Sequence, residues 1–207
     1  MLLRARVSLP DRPGAFLTVA KAIADAGGNI VDIEVLASGE GRAIDDVVVD
    51  LPGGGDERLR EVLASTGAGV LSARRTVRVS GQRADLDLLQ RVAAAPATGL
   101  ATVVSMGPMV WNADWAFATA AADPAVALHR SVGSPTPLPA GLPVPVGALP
   151  RRALVSVADK RWETVGVRWG DFIVFIGRDE GPTFLQVELL LLRRVIELAR
   201  GISQPGG

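Results

Sequence analysis

The chain has 207 residues, 48% of them hydrophobic, which suffices for two small domains with cores of their own. Lys plus Arg and Asp plus Glu both number 22, so the net charge is zero, and nucleic acid is excluded as the main partner because phosphate binding needs clustered excess basic charge. With no cysteine and a single histidine, disulfides, thiol catalysis, thiolate zinc sites and two-histidine metal clusters are excluded as well.

Leu3, Ala5, Val7 and Leu9 alternate with Arg4, Arg6 and Ser8, the period of a half-buried strand. Asp11-Arg12-Pro13-Gly14 breaks it. Pro13 suits the last loop position or first turn of a helix, and Gly14 lets the backbone approach a partner closely. Phe16, Leu17, Ala20, Ile23 and Ala24 then recur at helical spacing, with Lys21 and Asp25 between them. Gly27-Gly28 stops that helix. Val31, Ile33 and Val35 mark a second strand, and Gly39 and Gly41 turn the chain into a third carrying Val47, Val49 and Leu51 on one face. Leu59, Val62 and Leu63 mark a second helix, and Leu71, Ala73, Val77 and Val79 a fourth strand. The order βαββαβ is the ferredoxin-like split βαβ plan, helices on one face of an antiparallel sheet.

Charges separate on the other sheet face. Arg4 and Arg6 lie on the first strand and Arg74 and Arg78 on the fourth, whereas Asp46 and Asp50 lie on the third and Asp32 and Glu34 on the second. The strand order usual for this plan, 4-1-3-2, predicts cross-strand ion pairs between the first and third strands. The face is then either solvated or docked on a complementary copy or a second domain.

The loop Asp11-Arg12-Pro13-Gly14-Ala15 and the turn Gly27-Gly28-Asn29-Ile30, set in this βαββαβ order, resemble an ACT domain, a small module that senses amino acids. The resemblance implies a homodimer, with an amino acid or similar small metabolite held between the loop after the first strand and the start of a neighbour's second strand. The matching ligand-binding positions are Asp11, Arg12, Gly14, Ala15, Phe16, Asn29 and Ile30. Amide groups at a helix N-terminus favour a carboxylate, and Asn29 offers both a donor and an acceptor. Without a ligand the same residues read as a turn and a helix cap.

Past residue 80 the composition shifts: Trp111, Trp115, Trp162 and Trp169 and most prolines lie there. Ser80 to Ala84 reads as a linker and Asp85 as a helix cap, which divides the chain into domains at 1–80 and 81–202 with a flexible tail at 203–207. The second domain reads as helix 85–95, strands near 99–106 and 110–119, an irregular stretch, strands 152–158, 163–169 and 171–178, and a helix over 182–200. Prolines 135, 137, 139, 143, 145 and 150 forbid helix and central strand between Ser134 and Pro150, leaving a lid or a disordered insertion. Phe172-Ile173-Val174-Phe175-Ile176-Gly177-Arg178 and Gly181-Pro182-Thr183-Phe184, then Glu188 and a leucine-rich helix, are similar to the end of GAF domains, implying a GAF-like α/β domain with a central antiparallel sheet. Leu185, Leu189, Leu192 and Ile196 form one stripe of the last helix, and Leu190, Leu191, Val195 and Leu198 widen it, so this helix should bury more than one side.

No catalytic signature stands out. His129, with Asp123, Ser131 and Ser134 nearby, lacks a nucleophile elbow or triad pattern. Asp45-Asp46 is a carboxylate pair on adjacent strand positions, which face opposite ways. Gly39-Glu40-Gly41 and Gly53-Gly54-Gly55 lack the lysine and hydroxyl of a phosphate loop. Trp111 and Trp115 read as core packing or as a stacking platform for a ligand. Met1-Leu2-Leu3-Arg4 runs straight into an alternating strand and no stretch approaches a membrane span, so a soluble cytoplasmic protein is expected. The sequence therefore reads as a non-catalytic regulatory protein, an α+β chain without cofactor or metal. The alternatives are an interaction module that binds no metabolite and assembles with an enzyme of amino-acid metabolism, or an enzyme with a site around Trp111, Asp114 and His129.

Overall fold

A computed structural model describes residues 1–76, 83–157, 159–179 and 182–204. The chain divides into two compact units, Met1–Gln82 and Arg83–Gly207. The linker at 80–82, the fourth-strand residues Val77, Arg78 and Val79, Gly181 and the tail residues 205–207 lie outside the described residues.

In the first unit β1 (Leu2–Pro10), α1 (Ala15–Asp25), β2 (Asn29–Gly39), β3 (Arg42–Asp50), α2 (Asp56–Ala64) and β4 (Gly69–Arg75) follow one another in the predicted βαββαβ order. The sheet order is β2-β3-β1-β4, with all pairings antiparallel. Leu3, Ala5, Val7 and Leu9 bury one face of β1 against Val19 and Ile23 of α1 and Leu59, Val62 and Leu63 of α2. Three side chains depart from the expected alternation. Leu17 is 70% exposed, because Phe16, Val19 and Ile23 form the inward stripe of α1. A register shift between Ile30 and Asp32 makes Ile30, rather than Val31, pack on the core. Another between Arg6 and Val7 puts Val70 inside and leaves Leu71 outside.

On the far face, Arg6 Nε donates to Asp46 Oδ1 at 2.7 Å and Arg4 lies 3.4 Å from Oδ2 of the same carboxylate. The ion pair predicted between the first and third strands is present, but all three residues are buried, so the face is not a solvated one here.

The second unit runs α3 (Ala84–Ala94), α4 (Gly99–Val110), β5 (Trp115–Ala120), β6 (Ala127–Arg130), β7 (Arg151–Val157), β8 (Lys160–Trp169), β9 (Phe172–Asp179) and α5 (Gln186–Ser203), with a single 3₁₀ turn at Pro96–Thr98 between α3 and α4. Its five-stranded antiparallel sheet has the order β6-β5-β9-β8-β7. The strand expected near 99–106 is a helix. Its β-branched Val103 and Val104 are fully buried among α3, α5 and the sheet, and tertiary packing overrides their strand preference. Asp85 lies inside the first turn of α3 rather than capping it, and a hydrogen bond from Arg83 is the main cause that holds its carboxyl below the usual range. Helix α5 starts four residues later than predicted, after Pro182 and Thr183, and includes Ser203 of the expected tail.

The two faces of this sheet are both covered. Helices α3, α4 and α5 pack on Ala116, Ala118, Val165, Val167, Val174 and Ile176. The opposite face carries Trp115, Phe117, Trp162 and Phe175, against which Leu138, Leu142 and Val144 of the proline-rich segment pack. That segment is a cover for the sheet, neither a lid over a site nor an insertion without contacts. Trp111 and Trp115 fall in different clusters on opposite faces, so they cannot form one stacking platform. Trp115 instead stacks on Phe117 at 5.2 Å and meets the edge of Trp162 at 5.7 Å.

Among the described residues no single helix is long and apolar enough to cross a membrane; α3 and the following helical segment pass that test only jointly, and they meet at 119°.

Candidate functional site

Two clusters of polar groups are candidates. The first lies where β1 gives way to α1. β1 ends at Pro10, Asp11 N–H donates to the carbonyl of Gly41 at 2.9 Å, and Ala15 N–H reaches back to Arg12 at 3.2 Å. Gly14 caps the helix with φ +82°, a left-handed conformation that costs an L-residue about 1–2 kcal/mol, although a methyl group there would touch nothing within 4 Å. Glycine is required by the turn and not by crowding. The first turn of α1 holds no acidic side chain, and of its first amides Ala15 N–H and Leu17 N–H already donate to the carbonyls of Arg12 and Gly14.

This loop borders a cleft of about 340 Å³ whose walls include Arg12, Gly14, Ala15, Thr18, Thr66 and Gly67. Of the seven predicted site residues, Arg12, Gly14 and Ala15 therefore share one concavity. Phe16 is half-buried and packs inward on the core. Asp11 turns to the other side of the loop, where its carboxylate accepts the Ser38 hydroxyl at 2.5 Å and ties the loop to the end of β2. Asn29 and Ile30 are not brought to the loop: Asn29 pairs with Asp50 at one end of the sheet, whereas Pro10 pairs with Arg42 at the other. The length of β1 separates them, roughly 26 Å at about 3.3 Å per residue.

Sequence reading missed Thr66 and Gly67, which come from the turn before β4, and it missed Ser38. Asp45, read from the sequence with Asp46 as a pair of carboxylates facing opposite ways, is placed as expected. That residue pairs with Val7 and Val35 and thus shares the helix-covered face of the sheet, while Asp46 points the other way. Asp45 is 6% exposed, and its Oδ1 has no hydrogen-bond partner among the described residues. Burial, then the charges of Asp11 and Asp46, push its carboxyl above the usual range. Alternation along the third strand puts it on the face of Val47 and Val49.

The second cluster surrounds Arg178, one of the residues that carry the resemblance at the end of the chain. Its guanidinium donates to Glu188 Oε1 at 2.6 Å, to the carbonyl of Trp111 at 2.7 Å and to that of Asn112 at 3.1 Å, and lies 3.8 Å from the centre of the Phe184 ring. Glu188 also accepts the N–H of Leu185 at the start of α5. Every one of these contacts is within the protein, so this cluster is a clasp joining β9, the end of α4 and the start of α5. Around His129 no comparable convergence exists. The histidine is exposed on the edge strand β6, while the Ser131 and Ser134 hydroxyls bond the backbone of Ala116 and Asp114 accepts the N–H of Asp179. Among the described residues no group of three His, Asp or Glu side chains is placed to hold a metal.

A βαββαβ unit with a cleft-lining loop before its first helix defines a small α+β module of the ferredoxin-like kind. Residues 4–68 match the ACT domain family, and this part of the chain is an ACT domain. No curated protein matches the chain. Among solved structures it is similar to a formyltetrahydrofolate deformylase from Pseudomonas putida KT2440, with 17% identity, 46% of this chain and 39% of that one covered, and a TM-score of 0.30. The chain thus spans well under half the length of that protein. It is also similar to an unknown protein from Galdieria sulphuraria, with 14% identity, 95% and 91% covered, and a TM-score of 0.34.

Proposed function

We propose that this chain is a non-catalytic regulatory protein that binds an amino acid or similar small metabolite at an interface between two ACT domains. The observation that carries this reading is the split of the predicted site between opposite ends of one sheet whose edge strand is β2. Pairing β2 antiparallel with the β2 of a second copy, about an axis at Glu34, sets Asn29 of one chain level with Gly39 of the other. Ser38 and the Asp11 loop it holds are then beside the neighbour's Asn29. The same pairing sets Ile33 level with Val35, two side chains that are 46% and 67% exposed in one chain.

A ligand bridging that junction favours the paired state by its differential affinity for it, and rearrangement of subunits or units is the signal. In this reading α3 to α5 and their sheet form a GAF-like output or partner-binding unit, supported by the β9, Arg178, Phe184 and Glu188 arrangement at the start of α5.

A thermal-shift screen against the twenty amino acids tests the proposal. A ligand at about 100 times its dissociation constant adds roughly 2.7 kcal/mol. A shift with one or two of them that disappears in Asn29→Ala is expected. No shift with any of them would leave the ACT domain as an assembly module for a partner enzyme.

A further inference from the structure

Asp45 is a buried carboxylate whose inner oxygen meets no donor. It is 6% exposed on the helix-covered face of the ACT sheet, level with Val7 and Val35, and its Oδ1 has no hydrogen-bond partner among the described residues. The next residue shows how this sheet treats a carboxylate that it pairs: Asp46, on the other face, is met by Arg6 at 2.7 Å and by Arg4 at 3.4 Å. Arg42, three residues before Asp45, belongs by alternation to that other face, where it donates to the Ser8 hydroxyl and carbonyl at 2.8 Å each. A second carboxylate lies close by instead. Asp11 accepts the Ser38 hydroxyl at 2.5 Å, and Ser38 is level with Ala43, two residues from Asp45 on the same face and roughly 7 Å along the strand. Burial and then the charge of Asp11 hold the Asp45 carboxyl above its usual range, so the two acids feel one another. Val35, beside Asp45 on the edge strand, is 67% exposed, which places the pair one strand in from solvent.

We propose that Asp45, together with Asp11 and Ser38, holds the primary ammonium group of the ligand. This rests on the ligand-binding role proposed above and adds which part of the ligand this corner recognises. An ammonium carries three N–H donors and no acceptor. Asp45 on β3, the second oxygen of Asp11 in the loop and Ser38 Oγ on β2, whose own proton goes to Asp11, are three acceptors around one point. A spacing of roughly 7 Å leaves room for one nitrogen between the carboxylates, since a charge-assisted N–H···O bond spans about 2.7–2.9 Å on each side. A hard divalent cation fits less well. Calcium takes about six to eight oxygen ligands, and among the described residues no third acid or histidine joins the pair. When β2 pairs with the β2 of a second copy, that copy's Asn29 stands beside this corner and offers its amide to the carboxylate of an amino acid seated on Asp45. Such a ligand also supplies the positive charge that the empty corner lacks. The corner therefore selects free amines over their 2-hydroxy counterparts, whose oxygen brings no charge.

Thermal-shift titrations of the full chain with amino acids, with the 2-hydroxy acids of the same side chains and with methylammonium chloride test the proposal. An amino acid that binds should do so at least about tenfold more tightly than its hydroxy acid, because the lost bonds are charge-assisted. In Asp45→Asn, which keeps the shape of the side chain and sheds its stranded charge, that ratio should fall to within about threefold. A hydroxy acid that binds as tightly as its amino acid, or a ratio unchanged in Asp45→Asn, overturns the proposal and leaves a ligand site at the ACT interface standing. If no amino acid binds, the wider reading falls and methylammonium decides this one. A saturable shift that Asp45→Asn abolishes, and that tetramethylammonium, equal in charge but without N–H groups, does not give, upholds the ammonium seat. The absence of such a shift overturns it as well.

Discussion

The two sheets of this molecule are finished differently. In the second unit three helices cover one face and an aromatic cluster under a proline-rich cover lies on the other, and the charge buried on the helix side, Arg178, is held by Glu188 and by the carbonyls of Trp111 and Asn112. In the ACT domain one face is an ordinary aliphatic core, but the sheet also buries the charged set Arg4, Arg6 and Asp46, keeps the carboxyl of Asp45 under its helices and ends in an edge strand with exposed Ile33 and Val35. Buried charge and exposed apolar edge both cost stability in a solitary domain. Both sheets bury charge; the difference is that Arg178 of the second is met by Glu188 and two backbone carbonyls, whereas Asp45 Oδ1 of the first has no hydrogen-bond partner among the described residues.

The largest effect expected from breaking this comparison is at Asp46. Asp46→Ala leaves two buried guanidinium groups without their carboxylate and should cost about 3–5 kcal/mol, read as a lower urea midpoint by far-UV circular dichroism. A loss within about 0.5 kcal/mol would mean that the ion cluster is solvated and the contrast between the sheets is overstated. The corresponding fault in the second sheet is smaller. A side chain at Gly177 would run into the indole of Trp115, so Gly177→Ala should cost about 1–3 kcal/mol. All four tryptophans lie in the second unit, and the loss should appear as a shifted tryptophan emission.

Asp45 gives the smallest effect and the opposite sign. Its folded carboxyl binds a proton more tightly than the unfolded one, so folding is penalised above the folded value and the penalty fades as pH falls toward the unfolded value near 4. Asp45→Asn should therefore raise the melting temperature at pH 7, by an amount that shrinks as the pH is lowered toward 4. A lower melting temperature at pH 7 would show that the carboxylate is paired rather than stranded.

Much of the ACT domain was legible because its strands alternate cleanly and its turns are written in glycine and proline: Leu3 to Leu9, Gly27-Gly28 and Gly39 to Gly41 mark the elements closely. The same cues failed at Leu17 and Val31, where the choice of inward stripe and a register shift decide which side chain is buried. They failed again at α4, where Val103, Val104 and Pro108 argue locally against a helix that packing on three sides imposes. Of the candidate site, the loop residues Arg12, Gly14 and Ala15 could be read from Pro13-Gly14, but Thr66, Gly67 and Ser38 reach the same region only through the fold.

The central claim is that the ligand site is shared between two chains, and subunit mixing tests it most directly. Arg12→Ala and Asn29→Ala are each prepared alone, shown to have lost ligand binding, then mixed, unfolded and refolded together. A mixed dimer has one junction carrying both substitutions and one carrying neither, so the account predicts that about one quarter of all sites recover wild-type affinity in titration calorimetry. Binding that stays absent in the mixture while the mixed dimer forms would contradict a shared site.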